Sequence, residues 1–489
     1  MRKESHELTL PRRLRNEHRS EQAGISAVPM GLANALVGYL RRYRHRCTEQ
    51  QLSKTVPALV FAERRAAQNE VAKLVYLLRA RQQSTGAVSL WPGGAQGSPF
   101  ATLYALHLLL EARERGFAVP PDLVARKRSW FRSHLRFRGE SVDTLSKARL
   151  LAYGLYLLAR SGEVVGGDAA ALQERLDKQL NQRWRKDITA AYLAATYQLL
   201  VQEELAEALI AKLTVGAKTL PDYANFYDRT IHDAQLLYLV ARHFPKHRRR
   251  LRAAGIEALA RAISEGRTNT LSAATMILAL EAYSKHLRRR SRVSLALHEN
   301  GSWAAKRLPR GLLARLELPA GTERLRFGKR GDTPAFYSVV QSGYDRALPR
   351  KALQAGLEID RRIVDDKGKA VSEVRLGEEV SVVVRFRALG KVAQPQIAVV
   401  DLLPAGFQVS SRDPSAGEKG TTFAASFVDQ REDRLVLYGA APKRVLTYRY
   451  KLRATNAGTF TLPAVKIESL YDRKVMARTA AGKLMVRGR

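Results

Sequence analysis

The hydrophobic pattern of the chain changes once, near residue 290, and this change most constrains the fold. Between residues 31 and 287, apolar residues recur at helical spacing and form broad apolar faces. Typical segments are NEVAKLVYLLRARQQ, PFATLYALHLLLEARERG and LSKARLLAYGLYLLARSGE. Glycine, proline and helix-capping residues separate them. The sequence therefore predicts roughly ten to twelve successive helices, packed as helical hairpins in either an open solenoid or a closed α/α ring.

After residue 291 the segments become short, alternating and rich in β-branched residues. Examples are EEVSVVVRFRALG, PQIAVVDLLPAGFQV and GTFTLPAVKIESLYD, with turn residues between them. Several short strands at this spacing are typical of β-sandwiches. We expect a β-sandwich in the last part of the chain, and a smaller β module over residues 291–344 before it.

The charge of the chain is strongly positive. It has 83 Lys and Arg residues against 46 Asp and Glu residues, a net charge of +37. Such a field would attract nucleic acid, anionic lipid or acidic proteins without specifying any of them. The basic runs 246–252 and 285–292 could contact phosphates, but neither contains interleaved aromatic residues for base stacking. We therefore predict no specific nucleic-acid partner.

Motifs for export, membrane insertion and cofactor binding are missing from the sequence. The first residues lack a signal-peptide pattern, and no apolar stretch is long enough to span a bilayer. The phosphate-binding, dinucleotide-binding, hydrolase and zinc-protease motifs are also missing. One cysteine allows neither an internal disulfide nor a zinc site with several sulfur ligands. We predict no cofactor and no metal.

The single cysteine, Cys47, lies in the segment RRYRHRCTEQQL, with Gln50 three residues later. It could be a small buried apolar residue, as lone cysteines usually are. A Cys–His nucleophile with His45 is disfavoured, because residues two apart do not face each other on a helix. At a helix start, however, residues i and i+3 share a face. The sulfur of Cys47 could then attack the side-chain carbonyl of Gln50, expel ammonia and leave an internal thioester.

The segment YRHRCTEQQLSKTVPALVF, followed by a helical domain and a β-rich part, resembles the thioester-containing end of the α2-macroglobulin family, bacterial members above all. The resemblance covers nearly the whole chain, including LWPGGAQGSPFATLYALHLLLEARERGFAVP, YDRTIHDAQLLYLVARHFP and ATNAGTFTLPAVKIESLYD. It implies a multidomain α + β fold. An α/α toroid (the thioester domain) would span 27–290, a split β-domain 1–26 and 291–346, and a C-terminal macroglobulin-like β-sandwich 347–489.

The resemblance also implies a function, as the C-terminal fragment of a broad-spectrum protease-trapping inhibitor rather than an enzyme with turnover. Family members act outside the cytoplasm, which implies the periplasm or cell envelope. A protease cuts their bait segment, and the exposed thioester then acylates a nucleophile of the attacking endopeptidase, typically a lysine. The bait segment and the preceding macroglobulin domains that the family carries are not part of this sequence.

By position, the resemblance assigns four residues of the motif. Cys47 would supply the thioester sulfur and Gln50 the acyl group, while Tyr43 matches an aromatic residue that shields the thioester from water. Glu49 belongs to the motif, with no role that follows from the sequence. Arg46 replaces the small residue that usually precedes the cysteine, which predicts a leaky bond or none.

Two other interpretations of the chain stay open. The first is a helical-ring scaffold that has lost thioester chemistry and only binds partners. The second is a basic protein that binds nucleic acid or an anionic surface through its charge. The auxiliary histidine of some animal relatives has no assigned counterpart, since the match of His134 is too loose.

Overall fold

The computed structural model describes residues 4–11, 14–135, 141–217, 219, 221–287, 292–309, 314–347, 351–410 and 417–488. The predicted domain limits at residues 1, 290, 291 and 489 lie outside these ranges, as does half of the basic run 285–292. The chain forms two compact units, Met1–Tyr344 and Asp345–Arg489.

The described residues of the first unit form twelve α-helices. They are α1 (Ala33–Arg42), α2 (Thr48–Phe61), α3 (Arg64–Arg81), α4 (Pro99–Glu114), α5 (Pro121–Leu135), α6 (Leu145–Arg160), α7 (Gly166–Leu180), α8 (Ile188–Leu199), α9 (Glu203–Ile210), α10 (Arg229–His243), α11 (Arg248–Ser264) and α12 (Thr270–Ser284). None of the helices in the described part of the chain combines the length and apolarity needed to cross a membrane.

The even-numbered helices form a closed inner ring. Contacts run from α2 to α4, α6, α8, α10 and α12, and α12 packs back against α2. The odd-numbered helices α3, α5, α7, α9 and α11 each pack on the inner helix that precedes them, and α1 packs on α12. Inner helices such as α8 and α12 are accordingly apolar nearly all round, whereas the outer helix α3 buries a single stripe. The predicted α/α toroid is confirmed, and the open solenoid was wrong.

Most inner helices begin at a residue whose side-chain oxygen accepts a backbone N–H of the first turn, as N-cap residues do. These residues are Ser98, Thr144, Asp187, Asp228 and Asn269, at the starts of α4, α6, α8, α10 and α12. The amide of Asn269 also binds the carboxylate of Asp228 at 3.1 Å, so neighbouring helix starts meet at one end of the ring.

Strands from both sides of the helical segment form a split β-domain in the first unit. They are β1 (Ser5–Thr9), β2 (Ser20–Ser26), β3 (Arg292–Glu299), β4 (Ser302–Lys306), β5 (Arg315–Glu317), β6 (Arg324–Arg330) and β7 (Phe336–Ser342). Two antiparallel sheets result, in the orders β1-β6-β3-β4 and β5-β2-β7. Ile25 from the N-terminal part and Leu297 and Phe327 from the later part share one core. The β-domain is therefore completed by strands that follow the helices in the sequence.

The second unit is a β-sandwich. Its strands are β8 (Leu353–Ala355), β9 (Leu357–Val364), β10 (Glu373–Arg375), β11 (Glu379–Ala388), β12 (Gln394–Leu402), β13 (Phe407–Val409), β14 (Phe427–Gln430), β15 (Arg434–Ala441), β16 (Leu446–Ala454), β17 (Gly458–Leu462), β18 (Lys466–Ser469), β19 (Met476–Arg478) and β20 (Gly482–Arg487). Sheets of order β13-β16-β11-β9 and β14-β15-β12-β18-β19-β8 enclose a core that includes Val382, Val399, Leu437 and Tyr448, and β10-β20-β17 forms a third sheet.

A buried carboxylate holds several inner helices together at the end of the ring opposite their N-caps. Glu111 of α4 is fully buried and binds Arg115, Arg160 of α6 and Arg242 of α10. Burial alone would raise the pKa of Glu111. Arg160, the nearby His107 and the other two arginines outweigh that effect, and hold this pKa well below the ordinary value of 4.5.

We expect Glu111→Gln to lower the free energy of unfolding of the first unit by about 3 kcal/mol, because it leaves buried arginines without their shared carboxylate. A lowered carboxyl pKa stabilises the fold above the ordinary value and loses that effect as the pH falls through the lowered one. The advantage of the wild type should therefore be full above pH 4.5 and shrink in acid. Urea titrations followed by the helical circular dichroism signal measure it.

The matched control is Glu174→Gln, which removes an exposed carboxylate paired with Lys178 on the surface of α7. It should leave the unfolding curve nearly unchanged at every pH. An equal loss in both variants, or an advantage that does not change with pH, would contradict the role assigned to Glu111.

Candidate functional site

The start of α2 brings Cys47 and Gln50 together. Cys47 is the N-cap residue, and Gln50 occupies the third helical position. The Gln50 backbone N–H points to the Cys47 side chain, while the Cys47 backbone N–H donates to Gln50 Oε1 at 2.9 Å. This is a capping box in which sulfur replaces the usual hydroxyl or carboxylate oxygen. The pairing that the sequence predicts at i, i+3 is thus present as a reciprocal contact.

Both side chains are shielded from solvent. Cys47 is 2% exposed and Gln50 is completely buried. Gln50 Oε1 accepts the Cys47 N–H, but among the described residues Gln50 Nε2 has no hydrogen-bond partner. A bond to the oxygen withdraws electrons from the side-chain carbonyl carbon, and the unheld amide nitrogen is the group that would leave. The arrangement can therefore support attack by sulfur on this carbon, in a site with little water to compete.

Glu49, between Cys47 and Gln50 in the sequence, joins α2 to α12. Its fully buried carboxylate accepts hydrogen bonds from Ser53 Oγ at 2.6 Å and from Thr270 Oγ1, at the start of α12, at 2.8 Å. Ser53 Oγ also contacts the hydroxyl of Tyr104, on α4, at 3.0 Å. Burial, and then the charge of Glu49, raise the pKa of Tyr104, so its hydroxyl stays protonated. Glu49 also lies near the N-terminal ends of α2 and α12, where a negative charge is favoured.

Arg81, the last residue of α3, holds the chain on both sides of Cys47. One guanidinium nitrogen donates to Thr48 Oγ1 at 2.9 Å, and the other donates to the Arg46 carbonyl oxygen at 3.1 Å. The Thr48 N–H donates to the carbonyl oxygen of Leu90 at 2.8 Å. The side chain of Arg46 itself is exposed. The backbone around the cysteine is therefore fixed by a neighbouring helix and loop, and the large residue before it points to solvent.

The remaining residues singled out in the sequence lie as follows. Tyr43 follows α1 and is half-buried, with its ring 5.5 Å from those of Tyr39 and the buried His45. His134 stacks on Trp130 of its own helix, α5. The shielding role of Tyr43 stays a prediction. Among the described residues, no group of three or more His, Cys, Asp and Glu side chains is placed to hold a metal ion.

Sequence reasoning missed Arg81 and Thr270. Arg81 has a detectable signal, because it continues the buried stripe of α3 formed by Ala67, Val71, Leu74 and Leu78 at alternating spacings of four and three. A charged residue on an apolar stripe is unusual and needs a buried partner. Thr270 offers no such signal, since its contact with Glu49 spans 221 residues.

Comparison with known proteins gives mainly alpha-2-macroglobulins of bacteria. The model of the bacterial alpha-2-macroglobulin MG10 domain matches residues 356–473. The alpha-2-macroglobulin of Pasteurella multocida is 31% identical over 98% of this chain and 26% of its own length. The homolog from Yersinia pestis is 30% identical over 96% of this chain and 26% of its own length. This chain thus spans about a quarter of the length of these relatives.

Solved structures show the same fold. Native alpha-2-macroglobulin from Escherichia coli, spanning domain MG7 to the C-terminus, superposes with a TM-score of 0.80 and 21% identity, over 99% of this chain and 80% of that one. Salmonella alpha-2-macroglobulin reacted with methylamine gives a TM-score of 0.78 and 22% identity, over 99% of this chain and 33% of that one. At this identity the likeness establishes the fold.

We expect Glu49→Gln to destabilise the first unit by about 2 kcal/mol, because it removes a buried charge that two hydroxyls and two helix ends stabilise. A double-mutant cycle with Thr270→Val should give a coupling of about 1 kcal/mol. Urea unfolding followed by helical circular dichroism measures both. The control is Glu70→Gln, which removes an exposed carboxylate on α3 that is paired with Lys73. Additive effects of Glu49→Gln and Thr270→Val would show that Glu49 does not link α2 to α12.

Proposed function

This bacterial alpha-2-macroglobulin-like chain corresponds to the C-terminal portion of that family, and we propose that it stores a reactive acyl group for trapping proteases. The stored group would be a thioester between Cys47 Sγ and the side-chain carbonyl carbon of Gln50. Target endopeptidases would be its partners, through the lysine amines or other nucleophiles on their surfaces.

The single observation that carries this proposal is the reciprocal contact of Cys47 and Gln50 at the start of α2. The five other inner helices begin at Ser, Thr, Asp or Asn, whose oxygens are the better caps. A sulfur at the sixth helix start is poorly explained by helix stability alone. A nucleophile placed against a buried amide explains it.

The chemistry of the site would be used once in each molecule. In formation, Cys47 Sγ bonds to the Gln50 carbonyl carbon, the carbon–nitrogen bond breaks, and ammonia leaves with the thiol proton. In transfer, an amine attacks the same carbon and sulfur leaves as a thiolate. No step regenerates the thioester, so the protein would be an inhibitor that is consumed rather than an enzyme.

Three neighbouring residues would support this chemistry. Glu49 would anchor the helix turn that carries the thioester, through Ser53 and Thr270. Tyr43, half-buried beside His45, would restrict access of water. The exposed position of Arg46 supports bond formation, because its side chain does not need space in the buried pocket.

The other steps of trapping would need parts of the protein that this chain does not include. Cleavage of a bait segment and enclosure of the protease would depend on upstream macroglobulin and bait domains, since the chain spans about a quarter of its relatives' length. The proposed place of action is the periplasm or cell envelope, where a bacterial protein would meet foreign proteases.

We expect the freshly purified protein to be lighter than its sequence by the mass of one ammonia. Methylamine should then add to Gln50 and free the thiol of Cys47, because the amine cleaves the thioester. Intact-mass spectrometry followed by peptide mapping measures both changes. Cys47→Ala and Gln50→Glu are the controls, and neither should lose ammonia or gain methylamine.

A glutamate at position 50 of the purified wild type would also support the proposal, because it is what hydrolysis of a thioester leaves. A free Cys47 beside an unmodified Gln50 would contradict it, and would favour the scaffold that has lost thioester chemistry. The target class is tested by incubating a full-length version, which includes the upstream bait and macroglobulin domains, with an endopeptidase and mapping an isopeptide bond from Gln50 to a protease lysine. Loss of the thioester to water alone would argue against lysine capture.

A further inference from the structure

Arg81 is a buried cation whose hydrogen-bond partners are all neutral. The residue is only 8% exposed. Its guanidinium donates hydrogen bonds to Thr48 Oγ1, to the Arg46 carbonyl oxygen and, at 3.5 Å, to the Leu90 carbonyl oxygen. Within the described part of the chain, no carboxylate forms an ion pair with it. Burying a guanidinium without a counter-charge is costly, even when its N–H groups are bonded.

The position of the guanidinium suggests what its counter-charge is. Its nitrogens bind the residues immediately before and after Cys47, so the charge is held close to that residue. Burial lowers the pKa of Arg81, and a negative charge on Cys47 offsets only part of this effect, so the pKa stays below its ordinary value. Electrostatic influence is mutual, so the same cation favours the thiolate form of Cys47.

We propose that Arg81 is the counter-charge of the Cys47 thiolate and sets the reactivity of the thioester. The inference rests on the thioester function proposed above and adds the residue that controls it. In the intact thioester the sulfur is neutral, so the guanidinium lacks a counter-charge. When an amine attacks, a carbon–nitrogen bond forms and the carbon–sulfur bond breaks. The electron pair of that bond leaves on sulfur beside Arg81, and the excess proton of the amine passes to solvent.

This pairing has two consequences for the reaction. It makes the thiolate a better leaving group, so acyl transfer to amines becomes faster. It also raises the fraction of Cys47 that is ionised before the bond forms, which speeds attack on Gln50. Arg81 touches the residues around the sulfur rather than the substrate, and is therefore a positioning and electrostatic residue.

Other ionisable groups surround this part of the structure and have to be considered in any titration. They are His45, Arg46, Glu49, Lys54 and Tyr104. Arg46 is exposed, and the carboxylate of Glu49 binds Ser53 and Thr270. The raised pKa of Tyr104 keeps its hydroxyl neutral. Burial, and then the charge of Arg46, lower the pKa of Lys54.

The test measures the pKa of the Cys47 thiol in protein whose thioester has been opened. This pKa is obtained from the pH dependence of alkylation by iodoacetamide. Arg81→Gln keeps hydrogen-bond donors but removes the charge, and should slow alkylation at neutral pH about tenfold, as a rise of the thiol pKa by about one unit does. Arg81→Lys keeps the charge and should restore most of the rate. Arg79→Gln, an exposed arginine of α3 paired with Asp122, should change nothing.

A parallel measurement follows the release of the thiol when methylamine is added to freshly purified protein. Arg81→Gln should react about tenfold more slowly than the wild type, and Arg81→Lys should recover most of the rate. Thermal unfolding of each variant establishes that it is folded. Equal thiol pKa values in folded wild type and Arg81→Gln would overturn the proposal.

The wild type alone also tests the proposal, in case Arg81→Gln does not fold. Its Cys47 thiol should titrate below the ordinary value of about 8.5, and titration at or above that value would overturn the inference. Alkylation needs only a free thiol. If intact mass reveals no thioester while the thiol pKa still depends on Arg81, the proposed function fails and the electrostatic inference stands. If intact mass reveals a thioester while the thiol pKa does not depend on Arg81, the proposed function stands and the electrostatic inference fails.

Discussion

The contact between the starts of α2 and α12 is the constraint on which the helical unit depends. It closes the inner ring between segments that begin at Thr48 and Thr270, and the carboxylate of Glu49 bridges them. A buried carboxylate is acceptable there because hydroxyl groups and helix N-termini stabilise its charge. The residues on either side of Glu49 in the motif therefore lie on a turn that is fixed to a second inner helix. Ring closure and site geometry depend on the same carboxylate.

The capping box at Cys47 and Gln50 serves the fold and the proposed chemistry with the same hydrogen bonds. In an ordinary capping box these bonds only satisfy free N–H groups of the first turn. Here the Cys47 N–H holds the oxygen of the carbonyl that sulfur would attack. Thioester formation would remove the amide nitrogen and leave that oxygen in place, so the N–H could keep its acceptor. The turn would need little rearrangement to pass from amide to thioester.

Local patterns explain how much of this architecture was predictable from the sequence. Helical periodicity, capping residues and the i, i+3 spacing of Cys47 and Gln50 act within a few residues, and they predicted the helices and the contact between these two residues. Ring closure, the Thr270 contact and the pairing of β1 with β6 join distant segments, which no local pattern encodes. The family resemblance supplied the toroid and the split β-domain for that reason. The position of Arg81 on the apolar stripe of α3 could have predicted that this arginine is buried, but not which residues it binds.

Buried arginines at the two ends of the inner ring have different hydrogen-bond partners, and this difference bears on the proposed function. At one end Arg115, Arg160 and Arg242 surround the carboxylate of Glu111, so their charges are compensated inside the protein. At the other end Arg81 binds only neutral oxygens beside Cys47. Arg81 therefore differs from these three arginines, and the counter-charge that we propose for it is the sulfur of Cys47. A cation that gains its counter-charge only when the thioester opens would favour release of the acyl group, which is the property that a covalent trap requires.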